Sequence, residues 1–303
     1  MDHASTATTA TTATAPTAAT AATVASAAAI TVGALRVPGA RLHYEVRGTG
    51  PLIALVGAPM DATSFAPLAD LLAADHTVLT TDPRGINRSP LEDPDQDSTP
   101  ELRADDLSRL IDHLGAGPAI VLGSSGGAVT ALALTQARPE QVGTLIAHEP
   151  PVNEMLDDRE RLRAHTEDVI ATHLAGDVAG AWRKFLADAN IRLPEPVFEQ
   201  MFGPDRDPRR LADEHRWFTH ELRETVLFVP DVAALCAAAA STRIIIGIGE
   251  QSRGQACDRT STTLAAALGI EPTMFPGGHT GFAEDPAGFN ARLREVLAAP
   301  ASR

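Results

Sequence analysis

The stretch Ile120-Val121-Leu122-Gly123-Ser124-Ser125-Gly126-Gly127-Ala128 decides how the rest of the chain is interpreted. It begins as an apolar, β-branched run, typical of a buried strand, and leads into an apolar helical sequence at residues 128–134. The turn between them carries the pattern G-x-S-x-G. A turn this tight strains the backbone of its central residue, Ser125, so the neighbouring residues must be small. Because the helix N-terminus that follows favours negative charge, the turn predicts a nucleophilic serine.

Composition limits the kind of protein this is. The 303 residues are 44% hydrophobic, enough for one large core or two modest domains. A formal net charge of −14 argues against a nucleic-acid partner and against binding to an anionic membrane. The sequence contains no 18-residue apolar stretch, so we expect no membrane-spanning helix. The two cysteines, Cys236 and Cys257, indicate neither a disulfide framework nor a metal cluster, and favour a reducing, cytoplasmic location.

The first 30 residues differ from the rest of the chain. They are almost entirely Ala and Thr, and no Lys or Arg precedes Arg36. A secretory signal needs a basic segment followed by a continuous apolar one, whereas Thr interrupts every apolar run here. We therefore predict a disordered tail over residues 1–30. The sequence Ala25-Ser26-Ala27 resembles a cleavage site, which keeps export as the alternative.

Strand and helix patterns alternate through the remainder of the chain. Besides the strand before Ser125, we predict strands at Thr31–Val37, Arg41–Arg47, Pro51–Val56, His76–Thr81, Val142–His148, Thr242–Ile248 and Glu271–Phe275. Predicted helices, besides the one after Ser125, are Ser64–Ala74, Pro100–Leu114, Ala256–Leu268 and Pro286–Leu297. This alternation predicts the α/β class, with right-handed crossovers and a mostly parallel central sheet.

The alternation stops between residues 151 and 230. This region has no strand signal, is rich in Arg, Glu and Asp, and contains both tryptophans of the chain, Trp182 and Trp217. We interpret it as a helical cap, or lid, inserted between two strands. The predicted core then consists of residues 31–150 and 231–303.

A serine nucleophile needs a base. The Ser125 hydroxyl reacts poorly at neutral pH unless a neighbouring group accepts its proton. His279 is the candidate, because it follows the last predicted strand in a glycine-rich loop, Pro276–Gly281. Seven of the other histidines lie in ordinary strand, helix or lid sequence, and no pair of histidines has a nearby carboxylate or cysteine in ligand-like context. We therefore predict no metal site and no cofactor.

The acid that would orient the imidazole has two main candidates. Glu149 follows one predicted strand and Glu250 follows another, and ligand-facing groups gather at such strand ends. We favour Glu149, because two prolines follow it, whereas Arg253 could pair with Glu250. Asp258 and Asp285 remain further alternatives.

Taken together, these motifs resemble those of the α/β-hydrolase superfamily over about residues 31–299. The resemblance is carried by Gly123-Ser124-Ser125-Gly126-Gly127, by Asp82-Pro83-Arg84-Gly85 and by Gly278-His279. It implies an α/β-hydrolase fold with Ser125 as nucleophile and His279 as base. Two positions depart from the family pattern: Val56-Gly57 stands where His-Gly is usual, and Asn87 replaces a glycine.

The resemblance also indicates an oxyanion hole and a substrate class. One backbone donor would be the amide of Gly126, and the other would come from the loop that follows Val56. Since Pro59 lacks an N–H, Ala58 is preferred and Met60 is second. The segment His148-Glu149-Pro150-Pro151 is similar to one in lactone-opening members such as zearalenone-type lactonases.

We therefore predict a serine hydrolase that cleaves a carboxylic ester or lactone through an acyl-enzyme. A serine at the turn disfavours dehalogenase and epoxide-hydrolase chemistry, which needs a carboxylate nucleophile. The alternatives are C–C hydrolysis, perhydrolysis or acyl transfer by the same triad, a non-catalytic binding protein, and a secreted lipase. The aromatic lid predicts a small-molecule substrate with an apolar portion. The sequence does not indicate an oligomeric state.

Overall fold

The structure, a computed structural model, describes residues 1, 29–204 and 206–300. The tail predicted over residues 1–30 lies almost entirely outside the described residues. The strands and helices of the predicted core fall within them.

Eight strands of the described residues form one mixed sheet in the order β1-β2-β4-β3-β5-β6-β7-β8. The strands are β1 (Ile30–Val37), β2 (Ala40–Arg47), β3 (Leu52–Val56), β4 (Thr77–Thr81), β5 (Ala119–Ser124), β6 (Val142–His148), β7 (Arg243–Gly249) and β8 (Thr273–Phe275). Strand β2 pairs antiparallel with β1 and with β4, and all pairs from β4 to β8 are parallel. The predicted mostly parallel α/β sheet is confirmed.

Helices connect the strands and cover both faces of the sheet. They are α1 (Ala62–Leu72), α2 (Pro100–Leu114), α3 (Gly126–Ala137), α4 (Arg159–Leu174), α5 (Val178–Asp188), α6 (Glu195–Phe202), α7 (Pro208–His220), α8 (Leu222–Val226), α9 (Val232–Ala238), α10 (Ala256–Leu268), α11 (Gly281–Glu284) and α12 (Pro286–Ala298). None of these helices combines the length and the apolar character needed to cross a membrane.

The core lies on both sides of β3 and β5, the central strands. In β3, Ile53 and Leu55 pack with the apolar faces of α1 and α12, whereas Ala54 and Val56 pack with α2 and α3 on the other side. This division follows from the two-residue repeat of a strand. Both faces of β3 are covered by helices. All five of its residues are apolar and buried, as expected for such a strand.

Residues 151–230, called here the inserted segment, connect β6 to β7. They contain α4 to α8, and their described residues include no strand. Trp217 and Phe218 of α7 form a separate apolar cluster with residues of α4, α5 and α8. Trp182 stacks on Trp217 with ring centroids 5.0 Å apart. The division into core and cap stays a prediction, but the segment has an apolar cluster of its own.

Buried arginines form hydrogen bonds between the inserted segment and the rest of the described chain. Arg216 of α7 donates to the backbone carbonyls of Pro94 (2.8 Å) and Gln96 (2.7 Å). Arg103 of α2, only 4% exposed, donates to Thr225 Oγ1 of α8 at 3.0 Å. These charged hydrogen bonds add to apolar contacts, because Val152 and Phe228 of the inserted segment pack in the core cluster of the sheet.

The structure explains the unusual Asn87. Its φ is 49°, in the left-handed region where Gly or Asn is favoured. Its side chain donates to Asp61 Oδ2 (2.7 Å), and its backbone N–H donates to Asp213 Oδ1 (2.9 Å) of the inserted segment. A glycine would keep the turn but lose the side-chain bond.

Candidate active site

Ser125 occupies the sharp turn between β5 and α3. Its φ of 56° and ψ of −126° are strained for a residue with a side chain. Its N–H donates to the carbonyl of His148 at 3.0 Å, which ties the turn to the end of β6. A side chain at Gly127 would overlap the backbone of Val56, so the small residues of the motif are required for packing.

A buried histidine supports this turn from β6. His148 is fully buried, and its Nδ1 lies 3.2 Å from the hydroxyl oxygen of Ser124. Burial lowers the pKa of His148 to about 4, so its ring stays neutral at physiological pH. No role for His148 was predicted from the sequence. Its position directly before Glu149, at a strand end, was the available signal.

His279 and Glu149 meet at the carboxyl edge of the sheet. His279 lies in the loop after β8, and its Nδ1 is 2.6 Å from Glu149 Oε2. The second oxygen, Oε1, accepts the backbone N–H of Gly249 at 2.8 Å. Glu149 is fully buried and has a φ of 53°, so its backbone is strained as well. Both carboxylate oxygens are thus held in place.

The electrostatics of the pair favour an ion pair. Burial raises the pKa of Glu149, but the hydrogen bond and charge of His279 outweigh it and lower that pKa to about 2. Burial likewise opposes protonation of His279, whereas the adjacent Cys257 and Glu149 raise its pKa well above 6.5. Since Glu149 is ionised, it can only accept, and Nδ1 carries the proton of the bond. In the neutral imidazole, Nε2 is then free to accept a proton.

One cavity of about 90 Å³ brings the predicted residues together. Ser125 and His279 both line it, as do the two preferred oxyanion positions, Ala58 and Gly126. The inserted segment supplies a mostly apolar wall, formed by Phe185, Ala189, Ile191, Trp217, Leu222, Thr225 and Val226. The cavity thus brings the serine, the histidine and both loop positions together beside a mostly apolar wall.

Comparison with known proteins settles the family. The sequence profile described as the alpha/beta hydrolase family matches residues 52–292, about four fifths of the chain. This protein belongs to the alpha/beta hydrolase family. The resemblance expected from the three motifs is confirmed.

Curated relatives of this hydrolase are themselves hydrolases. The chain is 33% identical over 279 residues to the uncharacterized hydrolase YraK of Bacillus subtilis (strain 168), covering 88% of this chain and 96% of that protein. It is also 34% identical over 117 residues to a zearalenone hydrolase of Cladophialophora bantiana, covering 37% of this chain and 44% of the relative.

Solved structures share the fold of the hydrolase. A protein of Pseudomonas aeruginosa, provisionally assigned as an epoxide hydrolase, has a TM-score of 0.64 at 21% identity and covers 89% of this chain and 95% of its own. A thermophilic esterase from Thermogutta terrifontis has a TM-score of 0.62 at 22% identity, covering 85% and 93%. At these identities the likeness concerns the fold alone.

The other acid candidates of the hydrolase lie away from the imidazole. Glu250 is exposed, and within the described residues its carboxylate is not hydrogen-bonded to His279. Its expected partner, Arg253, forms no ion pair with it there. Asp258 accepts the N–H of Gly254 at 2.7 Å, and Asp285 caps α12. The structure thus joins His279 to Glu149 and to none of the alternatives.

Cys257 lies beside the predicted pair, a place that the sequence did not indicate. Cys257 Sγ, a ring nitrogen of His279 and an oxygen of Glu149 all lie within 4.8 Å of one another. Cys257 stands in the first turn of α10, and folding brings that helix start to the edge where the loop of His279 lies. No local sequence pattern around Cys257 indicates this position.

Proposed function

We propose that this hydrolase cleaves carboxylic esters or lactones through an acyl-enzyme on Ser125. The observation that carries the proposal is the buried Glu149–His279 pair, whose imidazole lines the same cavity as the strained serine. A nucleophile, a base and an orienting acid are the three parts of a serine-hydrolase triad. The structural relation to the esterase is consistent with the proposal, but only at the level of the fold.

The chemistry follows from the proposed roles. Ser125 Oγ attacks the carbonyl carbon while His279 accepts its proton, and Glu149 stabilises the imidazolium that forms. The amides of Gly126 and Ala58 stabilise the oxyanion. The imidazolium then protonates the leaving alkoxide, and the C–O bond to the alcohol breaks. Finally, His279 activates a water molecule, which releases the acid and restores the Ser125 hydroxyl.

An ester or lactone fits the site better than an epoxide. Opening an epoxide requires a carboxylate nucleophile, and the residue at the strained turn is a serine. The similarity to the zearalenone hydrolase of Cladophialophora bantiana covers less than half of this chain. It supports counting lactones among the proposed substrates. C–C hydrolysis, perhydrolysis and acyl transfer would use the same triad. Assays with different substrates are therefore needed to distinguish these reactions from ester cleavage.

The walls of the cavity favour an apolar substrate. Phe185, Trp217 and Val226 line it from the inserted segment. Most of the aromatic residues there stack on one another instead, as Trp182 does with Phe202 at 4.3 Å. We propose a small molecule with an apolar group beside the scissile bond, accommodated against the few side chains that reach the cavity.

A fluorophosphonate probe tests the nucleophile. Intact-mass measurement should show one adduct on the wild-type chain and on Ser241→Ala, which changes an exposed serine far from the cavity. Ser125→Ala should show no adduct. A labelled Ser125→Ala protein would refute the assignment. A panel of esters, lactones and 1,3-diketones then separates ester cleavage from C–C cleavage by product mass.

A further inference from the structure

The thiol of Cys257 has no part in the ester chemistry proposed above. Its side chain is partly buried and lines the cavity with Ser125 and His279. Its sulfur, a ring nitrogen of His279 and a carboxylate oxygen of Glu149 all lie within 4.8 Å of one another. Three side chains with three different donor atoms therefore converge beside the cavity, which Cys257 and His279 line.

We propose that Glu149, Cys257 and His279 form an inhibitory binding site for Zn²⁺. Thiolate sulfur, imidazole nitrogen and carboxylate oxygen are the three ligand types that zinc takes in proteins. The site goes beyond the hydrolase activity, because it needs neither the nucleophile nor the oxyanion donors.

The geometry is compatible with tetrahedral coordination. With bonds of about 2.3 Å to sulfur and about 2.0–2.2 Å to nitrogen and oxygen, the donor atoms of a zinc site lie roughly 3.3–3.7 Å apart. The three donors already lie within 4.8 Å of one another, and His279 Nδ1 and Glu149 Oε2 would have to move apart from their present 2.6 Å to admit the ion. Three protein ligands leave a fourth position for water.

Burial and charge of the surrounding groups favour a cation. Glu149 is fully buried and already has its oxygens directed to His279 Nδ1 and the Gly249 N–H. Zinc would take the place of the proton between His279 Nδ1 and Glu149 Oε2, so that both atoms become its ligands. The thiol gives its proton to solvent when it binds.

Zinc at this position would block the reaction. The proposed mechanism needs an imidazole nitrogen to accept the proton of Ser125. With Nδ1 bound to zinc, the neutral ring carries its proton on Nε2, which then has no lone pair for the Ser125 proton, so the triad stops working while the metal is bound. The protein's hydrolytic rate should then depend on the free zinc concentration.

Cobalt provides a readout that is independent of activity. Chelator-treated full-length protein is titrated with Co²⁺, and the near-ultraviolet thiolate-to-cobalt absorption is recorded. We expect one equivalent of absorption in the wild type, in Cys236→Ser and in Ser125→Ala, with displacement by Zn²⁺. Cys236 is the matched control, because it is the other cysteine and lies exposed on α9.

Loss of the sulfur donor should be decisive. Cys257→Ser and Cys257→Ala should lose the absorption and bind Zn²⁺ at least about tenfold more weakly. In the wild type and Cys236→Ser, Zn²⁺ should inhibit hydrolysis at concentrations at least about tenfold lower than in Cys257→Ser, each compared with its own metal-free rate.

Three results would contradict the proposed zinc site. They are no thiolate absorption in the wild type, absorption retained in both Cys257 variants, or absorption lost in Cys236→Ser. The Ser125→Ala arm separates this proposal from the previous one. If Ser125 is not the nucleophile, the cobalt absorption still forms, and if the metal site is wrong, fluorophosphonate labelling is unaffected.

Discussion

The strand ends and the inserted segment both line the cavity, but they hold their side chains differently. Ser125 and Glu149 follow β5 and β6, both with positive φ, and hydrogen bonds or close backbone packing fix each of them. Trp217 and Phe185 instead project from helices with a separate apolar cluster. Under the proposed function, the strand ends would carry the chemistry and the inserted segment would select the substrate.

The largest expected effect concerns the acid. Glu149→Gln should lower kcat by about 10³–10⁴-fold, because the amide neither fixes the tautomer nor stabilises the imidazolium. Glu250→Gln, which changes the exposed carboxylate after the neighbouring strand, should alter kcat less than about twofold. Steady-state kinetics on the best ester of the panel measures both. Equal losses, or a collapse only in Glu250→Gln, would contradict the geometry.

A second prediction tests the attachment of the inserted segment. Arg103 is buried and donates to Thr130 and Thr225. Burial raises the pKa of Glu221, which is 1% exposed, and the positive charge of Arg103 opposes that rise and favours the ionised carboxylate. Arg103→Met should therefore destabilise the fold by about 3–5 kcal/mol in urea denaturation. Arg109→Met, an exposed arginine on the same helix, should leave the unfolding midpoint unchanged. If both variants behave alike, Arg103 does not connect the two parts.

The third prediction is a pH dependence of the strand-end chemistry. Burial opposes a charged His279, but Cys257 and Glu149 raise its pKa well above 6.5. The base must be neutral, so kcat/KM should rise with pH through a pKa above 6.5 and fall about tenfold per unit below it. Glu149, with a pKa of about 2, stays ionised throughout. A profile that is already flat at pH 6 would contradict this assignment.

The smallest expected effect belongs to the inserted segment. Ile191 lines both the cavity and an outer groove of about 490 Å³, so its side chain stands between them. Ile191→Ala should raise kcat/KM for a bulky acyl ester relative to an acetate by up to about tenfold. Leu193→Ala, which changes the groove only, should not alter that ratio. If Ile191→Ala also changed the rate at which the small fluorophosphonate probe labels the protein, Ile191 would contribute to the reaction at Ser125 and not only to substrate size selection.

Much of the core was predictable because its signals are local. An apolar run, a glycine turn and an apolar helix around Ser125 predict β5, the turn and α3 without knowledge of any distant residue. Parallel strands bring their carboxyl ends to one edge of the sheet. Because Ser125 and His279 both follow such strands, the sequence predicts that they lie near each other. The short helix α9 was missed, since its seven residues carry too little periodicity.

The remaining features depend on contacts between distant parts of the chain. Glu149 and Glu250 follow adjacent parallel strands, β6 and β7, and sequence alone does not determine which carboxylate turns inward. The left-handed backbone of Glu149 and the N–H of Gly249 make that choice. Cys257 reaches His279 only because α10 begins at the same edge. Neither fact has a local pattern.

The size of the cavity has a kinetic consequence. At about 90 Å³ it is well below the roughly 300 Å³ at the small end of ligand pockets, so a substrate of ordinary size requires the wall around Ile191 to swing outward. The rates of substrate entry and product release, as well as that of bond cleavage, would then limit kcat. A viscous cosolvent such as sucrose would slow such a hydrolase on its bulky substrates and leave its smallest ones nearly untouched.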